Sequence, residues 1–154
     1  MGGFTAAGIA VDTVTATQQA PLGFELTQEY GQAGLRVWVY IQMTGGAAAA
    51  GDVIGRVPAA TYLGVAGAAT TTKLSTLGVA QHAIPNASFG FVLKSGQGNI
   101  KASAGVTVGT DLETAAASSV INFAGGAGTS HRVIGSSLVT AGAGVVAAMI
   151  SCGV

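Results

Sequence analysis

At 154 residues the chain is long enough for one domain with its own core and too short to call for a second. Hydrophobic residues make up 49% of it, yet aromatics are only 6% and charged residues 8%, against about a quarter in ordinary domains, and six basic side chains balance six acidic ones. This composition excludes the basic footprint that nucleic acid or an anionic membrane requires, and a surface with so little charge to repel its neighbours reads as part of an assembly.

Met1–Gln19 has no aromatic residue beyond Phe4 and sets Ile9, Val11 and Val14 against Thr13, Thr15 and Thr17, a pattern that predicts extended backbone. Pro21 and Gly23 close the stretch. Residues 1–23 are therefore either an N-terminal arm reaching a neighbouring subunit or a first strand, followed by a single β domain over residues 24–154. Phe24–Tyr30 alternates, Gly31–Gly34 supplies turn chemistry, and the two predict a hairpin into Leu35–Met43. That segment carries the strongest strand signal. Leu35, Val37, Val39, Ile41 and Met43 line one face, and Arg36, Trp38, Tyr40 and Gln42 the other. Arg, Trp and Tyr are enriched at the centres of protein contacts, so Arg36, Trp38 and Tyr40 are candidate contact residues, together with Phe4, Ile9 and Val11 of the arm. The competing reading places Trp38 and Tyr40 over a second small core of the same domain.

A faint internal repeat follows. Gly51-Asp52-Val53-Ile54 is answered by Leu77-Gly78-Val79-Ala80, and Gly109-Thr110-Asp111-Leu112 by Ile134-Gly135-Ser136-Ser137-Leu138. Each answer is followed by a closing strand, Ser88–Leu93 and then Val145–Ile150. Ser95–Asn99, with two glycines, reads as a turn, Asp111–Ser119 as one short helical turn, and Ala124–Ser130 as an exposed loop. Val133–Val154 is uncharged and long enough to span a bilayer, but its serines and four glycines break it into strands and turns. The fold class is all-β: a small β-barrel or β-sandwich of short strands with a two-fold internal repeat and an extended N-terminal arm.

Site chemistry is sparse. His82 and His131 have no carboxylate or cysteine at ligand spacing, so no metal or cofactor is expected, and an enzyme would need the two imidazoles to converge in one pocket. Asp52 and Asp111 occupy matching places in the two halves, where an Asp after a turn commonly bonds its own backbone. Cys152, the only cysteine, reads as a small buried hydrophobe. Arg36 is the first positive charge, so no secretory n-region is expected.

The runs Gly-Asp-Val-Ile, Leu-Gly-Val-Ala-Gln-His-Ala, Gly-Phe-Val-Leu-Lys-Ser-Gly-Gln-Gly-Asn-Ile-Lys-Ala, Val-Thr-Val-Gly-Thr-Asp-Leu, Val-Ile-Gly-Ser-Ser-Leu and Gly-Val-Val-Ala-Ala-Met-Ile follow one another between Gly51 and Ile150. In order and spacing they resemble the small β-barrel decoration, or cement, proteins of tailed bacteriophage capsids. The resemblance implies a non-enzymatic protein, made in the host cytoplasm, that sits on the outer surface of the virion. Its partners would be the major capsid protein and itself, as a homotrimer or else a dimer, with no nucleic acid and no membrane. A β-structured binding module, such as a head fibre or carbohydrate-binding domain, is the alternative.

Overall fold

The computed structural model describes residues 5–6, 8–56, 62–66, 76–114, 120–122 and 133–152. The strands are β1 (Thr5–Ala6), β2 (Ile9–Ala10), β3 (Glu25–Glu29), β4 (Leu35–Met43), β5 (Val53–Arg56), β6 (Leu63–Ala66), β7 (Thr76–Val79), β8 (Phe89–Ala102), β9 (Asp111–Thr114), β10 (Val120–Asn122), β11 (Val133–Ser137) and β12 (Gly144–Ser151). A single 3-10 turn at Gly31–Ala33 links β3 to β4, as the glycines there predict. The fold is all-β, and no helix among the described residues is long and apolar enough to cross a membrane.

All but the short β1–β2 ribbon belong to one sheet, whose pairings close on themselves twice. In the first ring β4 pairs parallel with β6, and β6–β5, β5–β7, β7–β8 and β8–β4 are antiparallel. In the second, β8 pairs parallel with β10, and β10–β9, β9–β11, β11–β12 and β12–β8 are antiparallel. The long strand β8 belongs to both rings, and β3 adds to the first along β4.

The repeat is therefore real and has a physical form. Val53 and Ile54 face Val79 and Gly78 across β5 and β7, and Asp111 and Leu112 face Ser136 and Gly135 across β9 and β11. The Ala48–Ile84 bridge recurs as Val106–Ala141. The turn bond from Asp52 N–H to Ala49 C=O recurs as Thr110 N–H to Thr107 C=O. This register corrects one expectation, since Asp52 matches Thr110 and Asp111 matches Val53. At Gly78 and Gly135 alike, an added Cβ would strike the backbone of the closing strand, at the carbonyls of Leu93 and Met149.

A bulge in β8 decides which side is inside. Trp38 pairs with Leu93 but Val37 pairs with Ser95, so Lys94 is an extra residue and the alternation inverts there. Before the bulge, Val92 points into the first ring with Val39, Ile41, Met43, Ile54 and Leu77. Beyond it, Ile100 and Ala102 point into the second with Leu112, Ile134, Val146, Ala148 and Ile150. The predicted turn at Ser95–Asn99 is instead continuous strand, because β8 has pairing partners along this whole stretch. Gly96 is required there by close approach: its φ is +112°, and a Cβ would stand 2.5 Å from the Leu35 carbonyl oxygen. Asp111–Thr114 is strand as well, and residues 115–119 of the predicted helical turn lie outside the described residues, as does the Ala124–Ser130 loop.

Residues 8–23 lie against their own domain. Thr15 and Phe89 exchange backbone hydrogen bonds of 3.0 and 2.8 Å, the Gln19 N–H donates to the Tyr40 hydroxyl at 3.1 Å, and Gly23 N–H donates to the Tyr40 carbonyl at 2.8 Å. The described part of this stretch thus covers its own domain.

Gly135→Ala is expected to cost about 1–3 kcal/mol by overpacking β11 on β12, a fall in Tm of roughly 3–10 °C. Gly142→Ala, with nothing within 4 Å of its added methyl, should leave Tm unchanged in the same thermal melts.

Candidate contact surface

The groups with potential chemistry are scattered. Among the described residues no cluster of His, Cys, Asp or Glu could hold a metal ion. Asp52 does what a turn aspartate does, its Oδ2 accepting from Ala49 N–H at 2.8 Å while Oδ1 lies 3.5 Å from Lys101 Nζ. His131 lies outside the described residues. His82 has a buried Nε2 with no hydrogen-bond partner. Burial pushes its imidazole below the ordinary value of 6.5, with Asp12 opposing through its charge.

The sequence-selected contact residues have unequal fates. Trp38 and Tyr40 are 3% and 1% exposed and belong to a core. The indole N–H donates to Gln28 Oε1 at 3.0 Å, and Tyr40 packs on Phe89 and Phe91 at centroid distances of 6.3 and 5.1 Å. This is the second core that the strand's polar-aromatic face left open as an alternative. Neither ring is available to a partner without unpacking the domain. Ile9 and Val11 are buried in the same cluster, and Phe4 lies outside the described residues. Arg36 is half-buried, its Nε donating to the Gln97 carbonyl at 2.7 Å and its guanidinium 3.3 Å from the Tyr30 ring centroid. Only the strand's N-terminal end meets solvent, through Leu35 and neighbouring Tyr30.

The larger exposed apolar area is on the second ring, which carries Val108, Leu138, Val139, Val145 and Met149. Its outer face is built from alternate residues of two strands: Lys101 pairs with Val145, Asn99 with Ala147 and Gln97 with Met149. Ser136 on β11 and Asp111 on β9 continue the Met149 row. Asp111, Gly135, Ser136, Met149 and Ser151 line an open depression of about 240 Å³ there. Sequence reasoning missed this face because Val145–Ile150 is apolar at every position, so alternation does not reveal which side is covered. The available signal was that a strand apolar on both sides needs cover on both.

These features define a class: an all-β module of two rings closed around one shared strand, with an open outer face on the second ring. No protein-family model matches the chain, and no curated protein matches it in sequence. Among solved structures it is similar to the N base of the head fibre gp8.5 of bacteriophage phi29, at a TM-score of 0.52 and 16% identity over 75% of this chain and 94% of that one.

Two outcomes follow. Trp38→Ala should cost about 3–5 kcal/mol in denaturant unfolding as a core truncation, whereas exposed Leu35→Ser should stay within about 0.5 kcal/mol. Because His82 is held neutral when folded, the unfolded chain binds its proton first as pH falls below about 6.5, and stability drops with it. His82→Gln should therefore show a flatter decline of Tm than the wild type between about pH 7 and pH 5.

Proposed function

We propose that this chain is a non-enzymatic structural protein of a bacteriophage virion, seated on the outer surface of the capsid. One observation carries the reading: the chain is similar in fold, at a TM-score of 0.52, to a phage head-fibre base over 94% of that chain. The charge-poor, net-neutral composition supports it, since such a surface favours residence in an assembly over free diffusion.

In its finer form the protein is a cement protein, a homotrimer with a dimer as the second choice, bridging neighbouring subunits of the major capsid protein. Each contact can be weak, because a multimer that engages several subunits gains effective concentration at every further joint. The second reading, a head-fibre base that anchors a projecting structure, is favoured by the structural neighbour, itself the N base of a phage head fibre.

The copy number in purified particles, by quantitative mass spectrometry against the major shell protein, tests both. A simple fraction of the shell count is the outcome expected of a cement protein, together with particles that lose their shells at lower temperature when the protein is deleted. A few copies per particle would establish the fibre-base reading, and absence from the particle would overturn the proposal.

A further inference from the structure

The two rings are built alike and finished differently. On the first, the row Trp38, Leu93, Val79, Val53 runs across β4, β8, β7 and β5. Its counterpart on the second is Gln97, Met149, Ser136, Asp111 across β8, β12, β11 and β9. The first row is buried in a cluster to which the N-terminal segment contributes Ile9, Val11 and Ala20, β3 contributes Leu26 and the interior of the second ring contributes Ile100 and Ile150, with Leu22 and Phe24 packed against it. The second is open, with Met149 39% exposed and Val145, farther along the same strand, 59%.

We propose that the outer face of the second ring is a docking groove for an extended segment of the capsid shell protein, apolar along one side, which lies across it as residues 9–24 lie across the first. The inference rests on the virion reading above. The apolar part of the face is one strand wide: Val145, Ala147 and Met149 form a column, with Gln97, Asn99 and Lys101 on one side and Ser136 and then Asp111 on the other. A narrow apolar strip between polar margins fits a single extended chain whose apolar side chains alternate. By strand spacing the strip and its margins cover roughly 200 Å², far below the ~800 Å² per partner of a stable dimer, so a second copy docked face to face would not hold here. In a second copy, residues 9–24 are likewise engaged on that copy's own first ring. The residues themselves agree with an intermittent occupant. Where the covered face carries Trp38, Tyr40 and Phe91, the open one carries Gln97, Asn99 and Ala147, which tolerate water before assembly.

The test uses assembled particles. Val145 is replaced by the photo-crosslinking residue benzoylphenylalanine, with Thr27 replaced likewise as a control on the exposed β3, and a separate variant carries Met149→Lys. The expected result is a light-dependent crosslink from position 145 to one contiguous stretch of the shell protein and none from position 27. Met149→Lys should lower the copies per particle at least tenfold while leaving the Tm of the isolated protein unchanged. Crosslinks from position 145 to other copies of this chain alone, or full occupancy by Met149→Lys, would overturn the docking groove while leaving the virion reading intact. If the wild-type chain is absent from particles, both fall together.

Discussion

Everything in this fold depends on one strand that serves two rings. From Phe89 to Leu93 β8 is buried on both faces, one turned into the first ring and the other under the N-terminal segment. The side that is outside the first ring is the inside of the second, and the single extra residue at Lys94 moves that side from the odd-numbered Phe89, Phe91 and Leu93 to the even-numbered Ile100 and Ala102. Glycines make the crossing possible: at Gly96 and Gly98 a Cβ would collide with β4 backbone or with the Leu93 side chain.

The distribution of large side chains follows from that arrangement. Aromatic residues are scarce, and Phe24, Trp38, Tyr40, Phe89 and Phe91 are concentrated where the first ring meets its covering segment. Phe24 meets Phe91 edge-on at 6.5 Å, and the Tyr40 hydroxyl fixes the backbone of Gln19. Among the described residues, the second ring has only aliphatic and small side chains in its interior and no such cover outside. Two halves of one repeat have therefore diverged, one toward a sealed layer and the other toward an open, mildly apolar face. That difference is what the proposed capsid role would use.

The candidate site was less legible in the sequence than the strands were. Arg36, Trp38 and Tyr40 stand out in a chain with so few large side chains, but composition alone does not say whether a neighbour is another subunit or the chain's own N-terminus. The covering residues come from far away in sequence, as Gln19 does to Tyr40. Met149 and Val145 sit in an apolar run that looks like core, and they are exposed because nothing in the described chain folds back over them.

Legible in the sequence alone were the all-β class, the β3–β4 hairpin, the two-sided character of β4 and the recurrence of the Gly-containing segments. These are local: alternation of period two, turn residues and short repeats act within a few tens of residues. Only the tertiary structure decided that Ser95–Asn99 continues a strand rather than turning, that Asp111 matches Val53, and that Trp38 is covered while Met149 is not. Each of those outcomes depends on which distant strand or segment lies alongside, and a glycine-rich chain with weak side-chain preferences leaves that choice to long-range packing.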